Sequence, residues 1–424
     1  MRVLIANRGE IAVRVIRACR DVGVSPVAVF TDVDAGAPHV RLADHAENLG
    51  APRAYLDPAA ILDAARESGA DAIHPGYGFL AENAAFARAV EDAGLRFLGP
   101  KPEHIELMGD KAAARKAAAD AGVPVVPGSD GTVADEEAAV AAAVQYPVAV
   151  KAAGGGGGRG IRIAADEAEL RKAFAAAARE AQGAFGDPRV YVERFVEKAR
   201  HIEVQVFGDV ALGERECSLQ RRRQKVVEEA PAPTYDASDL CSAAAALAGS
   251  IGYRGAGTLE FLVDDDTGDF FFIEMNTRIQ VEHPVTEMVT GVDLIAAQIT
   301  GELPPFEARG CALELRLNAE DPSNKFMPSP GVASAVRWPS GPWVRVDTWL
   351  EPGVDVPPFY DSLIGKLIVW GPDRATCIAR AKRALWEFHV EGIHTTAEML
   401  AELLDEEWFV RGEFHTTTLE EWLS

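Results

Sequence analysis

Apolar and polar positions alternate along the first hundred residues in a way that predicts strands separated by helices. Short apolar runs such as RVLIA and PVAVFT are typical of buried strands, and further strands are predicted in DAIHPG and LRFLGP. In the helix predicted over DPAAILDAARESG, Asp57 is placed as the N-cap and Gly69 follows the last turn. Strands that alternate with helices form parallel sheets, so we expect an N-terminal α/β domain with a Rossmann-like parallel sheet.

A second pattern begins near residue 101, where the chain becomes helical and charged. The β-rich runs YPVAVKAA and GIRIA flank a glycine run, and DEAELRKAFAAAAREAQ predicts a helix with an acidic first turn. Two hairpins follow: RHIEVQVFGDVALGERE, which turns at Gly208 and Asp209, and GTLEFLVDDDTGDFFFIEMN.

The last part of the chain is predicted to be β-rich. CALELRLNAE and WVRVDTWL have the pattern of strands, DRATCIARAKRALWEFHV that of a helix, and a further helix is predicted near residues 396–404. The whole chain is therefore expected to be a multidomain protein of the α/β and α+β classes, with a β-rich α+β domain at its C-terminus.

Composition narrows the classes of function. The 424 residues carry a formal net charge of −23, which argues against nucleic acid as a partner. The N-terminal stretch has charges inside its apolar run and no cleavage-site pattern, and we expect a cytoplasmic protein with no membrane partner. The cysteines are odd in number and form no CxxC pair, so they are predicted to be small buried residues: Cys19, Cys217, Cys241, Cys311 and Cys377.

Five consecutive glycines, Gly154 to Gly158, follow Lys151 and allow several interpretations. A flexible linker is one, but the flanking β segments are too close together to be separate domains. The run contains a formal GxGxxG, yet the strand-like IRIA follows it instead of a helix, and no Gly-Lys-Ser/Thr completes a Walker A loop. A hairpin tip whose backbone N–H groups approach phosphates fits best, with Lys151 adding a point charge.

A polar residue occupies every second position in EMNTRIQVEH: Glu274, Asn276, Arg278, Gln280 and Glu282. A solvent-facing edge strand would show the same alternation, but the apolar run DFFFI before it indicates a buried strand. In an extended chain all five side chains would share one face, opposite Glu260 of the paired strand. Two carboxylates and an amide oxygen are ligands that suit Mg²⁺ shared with phosphates.

The run ECSLQRRRQKVVEEAP carries a basic cluster flanked by Gln220 and Gln224. A solvated surface patch is the simple interpretation. In so acidic a chain, contact with an anion is favoured. His201 in ARHIEV is equally compatible with a core histidine and a ligand-binding one. The cluster itself comprises Arg221, Arg222, Arg223 and Lys225.

Five runs in order resemble biotin carboxylase, an ATP-grasp ligase: IANRGEIAVRVIRAC, IHPGYGFLAEN, KAAGGGGGRGIRI, QKVVEEAPAP and IEMNTRIQVEHPVTEMVTG. The resemblance covers nearly the whole chain, from Met1 to about Trp422. It implies ATP-dependent carboxylation of biotin with bicarbonate, through carboxyphosphate. This is the first half-reaction of acetyl-CoA and other acyl-CoA carboxylases, and for acetyl-CoA carboxylase the resemblance implies a role in fatty acid biosynthesis. The chain has no Met-Lys-Met biotinylation site and no carboxyltransferase region, so biotin is expected on a separate carrier protein.

The resemblance also implies roles for individual residues. ATP is assigned to Lys111, Lys151, Gly157, Gly158, Glu193, Arg194, Phe195, Val196, His201, Gln220, Arg223 and Glu260. Bicarbonate and biotin are assigned to Tyr77, Lys225, Arg278, Gln280, Val281, Glu282 and Arg316. The implied catalytic residues are Lys225, Arg278, the general base Glu282, and Arg316, which steadies the biotin enolate. Mg²⁺ or Mn²⁺ is assigned to Glu260, Glu274 and Asn276.

By the same resemblance we expect an N-terminal domain over 1–108, an ATP-grasp domain over 109–300 and a C-terminal domain over 311–420. The ATP-grasp domain would include a mobile lid at about 124–190, with the glycines at its tip and mobile without nucleotide. Expected partners are bicarbonate, a biotin carboxyl carrier protein, carboxyltransferase subunits and a second copy of the chain.

The chain departs from the family pattern in four places. Arg223 stands where relatives often have His, the hairpin tip after Phe207 is short, and residues 234–250 and 298–310 are shortened. Two other functions stay open from the sequence. One is a non-catalytic ATP-binding scaffold, whose sequence would be expected to have lost a metal-binding carboxylate. The presence of both Glu260 and Glu274 argues against it. The other is a different ATP-grasp carboxylate ligase, against which HPGYG and TRIQVEH argue.

Overall fold

The structure is a computed structural model that describes residues 1–143, 145–153 and 161–424. The glycine run, with the predicted ATP contacts Gly157 and Gly158, lies outside the described residues. Within the described part of the chain, no helix combines the length and the apolar character that crossing a membrane requires.

Five parallel strands form the N-terminal sheet, in the order β3-β2-β1-β4-β5. The predicted α/β alternation is therefore confirmed, and Asp57 caps its helix by accepting hydrogen bonds from the amides of Ala59 and Ala60. The elements are β1 (Arg2–Ile5), α1 (Gly9–Asp21), β2 (Ser25–Phe30), α2 (Pro38–Leu42), β3 (His45–Asn48), α3 (Pro58–Glu67), β4 (Ala72–His74), α4 (Ala84–Asp92), β5 (Arg96–Phe97) and α5 (Pro102–Gly109).

A small antiparallel sheet follows, with β6 between β7 and β8. The two β runs that flank the glycines pair with each other, as the hairpin prediction requires, with Val148 opposite Ala164. Asp166 caps the long helix α8 through the amide of Glu169. This part contains α6 (Lys111–Asp120), α7 (Glu136–Ala142), β6 (Val148–Ala152), β7 (Arg162–Ala164), α8 (Glu167–Phe185) and β8 (Val190–Arg194).

Next come the two predicted hairpins, and both are confirmed. The first closes over Gly208 and Asp209, because Phe207 pairs with Val210. The second places Glu260 opposite Glu274. The elements are β9 (Ala199–Phe207), β10 (Val210–Glu216), β11 (Gln220–Arg221), β12 (Gln224–Lys225), β13 (Val227–Ala230), α9 (Ser238–Ser250), β14 (Ala256–Asp264), β15 (Phe270–Asn276), α10 (His283–Thr290) and α11 (Leu294–Thr300).

The C-terminal part is β-rich, as predicted, but one helix is shorter than expected. The helix predicted through Val390 ends at Glu387, and the next residues form a strand, because Phe388 leaves the helix to pack on Trp338 at 4.9 Å between ring centroids. The elements are β16 (Cys311–Asn318), β17 (Glu320–Asp321), β18 (Met327–Pro328), β19 (Gly331–Val332), β20 (Ala335–Arg337), β21 (Val344–Thr348), β22 (Asp355–Val356), β23 (Leu363–Gly371), α12 (Arg374–Glu387), β24 (His389–Glu391), α13 (Ala397–Leu403), α14 (Glu407–Arg411) and α15 (Thr418–Trp422).

One antiparallel sheet of eight strands joins the last two groups, in the order β15-β14-β9-β10-β13-β16-β23-β21. The link is the pair β13–β16, in which Glu228 lies opposite Glu314. Buried ion pairs then tie α1, α10 and β21 together, since Arg14 and Arg345 donate to the Glu287 carboxylate at 2.9 and 2.7 Å. The shared sheet and these ion pairs connect the N-terminal, central and C-terminal parts of the chain.

Candidate active site

A cavity of about 770 Å³ is lined by Glu260 in the middle of β14, by the end of β15 and by the short β11–β12 hairpin. It collects most of the side chains predicted from the sequence: Lys111, Lys151, His201, Gln220, Arg223, Lys225, Glu260, Glu274, Asn276, Arg278, Gln280, Val281, Glu282 and Arg316. The structure does not bring the following predicted residues to this wall: Tyr77, Glu193, Arg194, Phe195 and Val196.

Lys225, at the end of the β11–β12 hairpin, lies among three carboxylates. Its Nζ is 2.5 Å from Glu203, 2.6 Å from Glu282 and 3.2 Å from Glu260. Burial lowers the pKa of Lys225, but these carboxylates raise it well above its ordinary value. The ammonium therefore stays charged at neutral pH and supplies a fixed positive charge at the cavity wall.

Glu282 is held by cations on both carboxylate oxygens. Lys225 contacts Oε1, and Arg316 on β16 donates to Oε2 at 3.0 Å. Burial raises the pKa of Glu282, but Lys225 and Arg316 lower it below its ordinary value. The side chain is thus ionised at neutral pH, in the state that a proton acceptor needs.

The extended run predicted from Glu274 to Glu282 is wrong beyond Asn276, where β15 ends. Residues 277–281 form an irregular turn, closed by a hydrogen bond from the His283 amide to the Gln280 carbonyl at 3.3 Å. Side chains at every second position share one face only if the chain is extended. The alternation therefore does not by itself explain why these polar side chains meet at the cavity. The turn brings the later polar residues back toward β14.

Within this turn, Gln280 donates to a Glu260 oxygen at 2.9 Å. Arg278 donates from Nε to Glu82 at 2.8 Å and from Nη2 to the Asn276 side-chain oxygen at 2.8 Å. The guanidinium is therefore fixed from two sides while it lines the cavity. A planar cation held in this way is suited to an anionic ligand.

Glu260 and Glu274 lie side by side, because they are direct partners in the β14–β15 ladder. The Nζ of Lys111 is 3.4 Å from Glu274, and the amide nitrogen of Asn276 donates to Glu260 at 2.9 Å. Two carboxylates on one face are a hard oxygen donor set that fits Mg²⁺ or Mn²⁺. The Asn276 oxygen accepts from Arg278, so the two carboxylates are the stronger part of the predicted set.

The small sheet meets the large sheet through the connection that follows Arg194. The side chain of Glu193 pairs with Lys151 and lies 3.6 Å from Arg115, and Arg194 pairs with Asp264 at 2.9 Å. Since β8 belongs to the small sheet and β9 to the large one, this connection is the covalent link between them. The adenine contact that the resemblance implies for residues 193–196 stays a prediction.

Arg222 and Arg223 form the turn between β11 and β12, and both line the cavity. Their φ angles of 49° and 68° lie in the left-handed region, which side chains other than glycine seldom occupy. The expectation that the whole basic run faces an anion is wrong for Arg221. Its guanidinium donates to Glu320 at 2.7 Å and stacks on Phe326 at 4.0 Å.

His201 is a partly buried residue of the cavity wall and not a core histidine, while its contact with a ligand stays a prediction. Its Nε2 lies 3.3 Å from Glu260 and its Nδ1 lies 3.1 Å from the side-chain nitrogen of Gln220. Burial lowers the pKa of His201, but Glu260 and the nearby Glu203 raise it to about 9. Tyr77 lies elsewhere, with its hydroxyl donating to the Glu10 carboxylate.

Three family models match the chain in order. Residues 1–105 match "Biotin carboxylase, N-terminal domain", 110–301 match "Carbamoyl-phosphate synthase L chain, ATP binding domain", and 314–421 match "Biotin carboxylase C-terminal domain". Biotin carboxylase 1 of Bacillus subtilis is 49% identical over 441 residues, covering 99% of this chain and 98% of that protein. The biotin carboxylase of Pseudomonas aeruginosa is 50% identical with the same coverage. The chain belongs to the biotin carboxylase family.

Solved structures agree with this family and with its mixed α/β fold. The biotin carboxylase of Campylobacter jejuni, a complex with β,γ-ATP, has a TM-score of 0.95 at 43% identity, covering 99% of this chain and 98% of that one. The biotin carboxylase domain dimer of Hydrogenobacter thermophilus 2-oxoglutarate carboxylase, with MgADP and bicarbonate, has a TM-score of 0.93 at 46% identity, covering 99% and 97%. The family inferred from the sequence motifs is confirmed.

Sequence reasoning missed several residues that shape this family's site in the present chain. Glu203 receives hydrogen bonds from Lys225 and from the fully buried Arg215, whose Nε lies 2.6 Å away. Glu228 accepts a hydrogen bond from the Nε of Arg316 at 2.6 Å. Burial raises the pKa of Glu228 to about 7, although the Arg316 guanidinium lowers it. The sequence did indicate Glu203, because it lies two residues after His201 in β9 and therefore on the same face of the strand. Nothing comparable marks Arg215, because its partners come from distant strands.

Proposed function

We propose that this chain carboxylates biotin on a carrier protein with ATP and bicarbonate, through carboxyphosphate. The observation that carries the proposal is the position of the ionised Glu282 against Lys225, at the wall of a cavity that also contains Glu260 and Glu274. A base, a fixed cation and a metal-compatible pair of carboxylates are the groups that this reaction needs in one place.

In the first step, Lys225 and Arg278 attract the bicarbonate anion into the cavity. Glu282 accepts the bicarbonate proton on a carboxylate oxygen while the bicarbonate oxygen attacks the γ-phosphorus and ADP leaves. Carboxyphosphate then breaks into CO₂ and phosphate. Phosphate takes the N1′ proton of biotin, and the biotin nitrogen captures CO₂, while Arg316 steadies the negative charge of the enolate.

ATP is proposed to bind between the small and large sheets. Lys111 and Lys151 would contact its phosphates, and residues 193–196 its base, with His201, Gln220 and Arg223 along the wall. Gly157 and Gly158 keep their proposed role at the phosphates. Glu260 and Glu274, with Asn276 beside them, would hold Mg²⁺ or Mn²⁺, which would neutralise phosphate charge.

We propose that biotin arrives on a separate carrier protein and that carboxyltransferase subunits complete an acetyl-CoA or acyl-CoA carboxylase. A homodimer is proposed as well, supported by the dimer named for the Hydrogenobacter thermophilus relative. The domain limits 1–108, 109–300 and 311–420 remain our proposal, with a lid at about 124–190. They are supported by family matches to 1–105, 110–301 and 314–421.

The direct test is ATP hydrolysis by the purified chain at varied bicarbonate, with and without free biotin. We expect hydrolysis that requires bicarbonate and that free biotin stimulates. Nucleotide binding without turnover would support a non-catalytic scaffold instead. Turnover that ignores biotin would support another ATP-grasp ligase.

A further inference from the structure

Lys366, at the centre of β23, is a fully buried lysine that the reaction above does not use. Its Nζ donates to the Val281 carbonyl at 2.7 Å and lies 3.3 Å from the Glu10 carboxylate. Asp347 on the neighbouring strand is farther away, at 4.0 Å. Burial lowers the pKa of Lys366, but Glu10, Glu314 and Asp347 raise it above its ordinary value, so the side chain is an ammonium.

The place of this ammonium is not explained by stability. Removing a lysine and its counter-ion from water costs several kcal/mol, and apolar replacements of buried ion pairs are often neutral or stabilising. The two nearest partners of Lys366 come from parts of the chain far apart in sequence. Glu10 lies in α1 of the N-terminal part, and Val281 lies in the turn before Glu282.

The contact with Val281 acts on the group beside it. A peptide unit is planar and trans, so fixing the Val281 carbonyl also fixes the Glu282 amide, which points to the opposite side. Glu282 begins at that amide, and its carboxylate is in contact with Lys225 and Arg316. Lys366 therefore controls the backbone from which the proposed base projects.

The other end of the contact reaches Tyr77. Glu10 accepts a hydrogen bond from the Tyr77 hydroxyl through Oε1 and faces Lys366 through Oε2. Glu10 is 3% exposed and Lys366 is 0% exposed, so water does not compete strongly for this contact. A continuous series of polar contacts thus runs from Tyr77 to the turn that contains Val281 and Glu282.

We propose that Lys366 is a positioning residue for the bicarbonate step and that, through Glu10, it couples the Tyr77 region to the Val281–Glu282 turn. The inference rests on the proposed function, since it concerns how the chain orders its bicarbonate site. It assigns no chemical step to Lys366, which is not among the residues that line the cavity. Its effect is to keep the turn in the conformation that binds bicarbonate before the anion arrives.

The test compares Lys366→Met, Glu10→Gln and the double variant with wild type by steady-state ATP hydrolysis. In Lys366→Met we expect the KM for bicarbonate to rise about tenfold, as for loss of one charge-assisted hydrogen bond, with the KM for ATP within about twofold. Glu10→Gln should raise the KM for bicarbonate by a smaller factor. Lys382→Met is the matched control, because Lys382 pairs with Asp405 on the surface of the C-terminal part.

The outcomes separate cleanly. Lys366→Met leaves Glu10 without its counter-ion. If Lys366→Met does not fold, the KM for bicarbonate of the double variant and of Glu10→Gln provides the test. Folded variants with the wild-type KM for bicarbonate would overturn the positioning role, as would equal rises in both KM values. A wild-type chain without bicarbonate-dependent turnover would instead overturn the proposed function.

Discussion

The Nζ of Lys225 lies 2.6 Å from the Glu282 carboxylate. This ion pair connects the β11–β12 hairpin to Glu282, the residue immediately before helix α10. A base that is paired with a lysine is kept ionised, because the ammonium favours the charged form. In the proposed reaction, the same ammonium would attract bicarbonate to the base, so that the anion would be bound and deprotonated at one contact.

The Glu282→Gln variant is expected to lose bicarbonate-dependent ATP hydrolysis by about a hundredfold or more, the usual size of a general-base contribution. The amide keeps the size of the side chain but cannot accept the proton. Nucleotide binding, measured by calorimetry, should stay close to wild type. Glu302→Gln, at an exposed position, is the control, and unchanged turnover in Glu282→Gln would rule out Glu282 as the base.

Replacing Arg278 with alanine should raise the activation barrier by roughly 3–4 kcal/mol, by analogy with removal of one oxyanion donor. The guanidinium is fixed by Glu82 and Asn276, so little reorganisation accompanies the reaction. Single-turnover rates at saturating ATP measure the loss, with Arg66→Ala as a surface control. A fall of less than about tenfold would contradict a role in the reacting centre.

Glu203→Gln should destabilise the fold by about 3 kcal/mol, because a buried cation loses its counter-ion. Arg215 is fully buried and donates to Glu203 at 2.6 Å, so it would keep only neutral partners. The thermal midpoint from calorimetry is expected to fall by several degrees. An unchanged midpoint would show that Gln205, Gln280 and the neighbouring threonines satisfy the guanidinium on their own.

His74 links stability to pH. Its Nδ1 accepts a hydrogen bond from the Gly76 amide at 3.0 Å, and its Nε2 lies 3.3 Å from the Gln298 side chain. Burial lowers the pKa of His74 to about 4, although the contact with Gln298 raises it. The unfolded pKa is near 6.5, so the folded state binds the proton more weakly. The stabilisation is therefore complete above about pH 6.5 and is lost as the pH falls toward 4.

For His74→Gln we expect a thermal midpoint below that of wild type at pH 7.5, with a gap that narrows by pH 5. Each pH unit below the unfolded pKa removes up to about 1.4 kcal/mol of the His74 contribution. The exposed His394 supplies the control variant His394→Gln. A gap that stays constant between pH 7.5 and pH 5 would exclude this linkage.

Local chemistry explains why so much of the fold could be predicted. Asp57 and Asp166 cap helices with their own side chains, and Gly208 with Asp209 closes a two-residue turn, all within a few residues of sequence. Periodicity failed where a distant contact decided the outcome. Phe388 ends α12 to pack on Trp338, and the strand predicted beyond Asn276 becomes a turn.

The family, the helices and strands that carry the motifs, and the register that sets Glu260 against Glu274 could all be predicted from the amino-acid sequence. These follow from short-range periodicity and from residue order. The pairing of charges depends on the assembled fold, because Lys225, Glu203 and Glu282 come from three separate elements. The fold also places Lys366 beneath Val281, a contact between residues 85 positions apart. Burial makes such pairings energetically decisive, and burial is a property of the assembled fold.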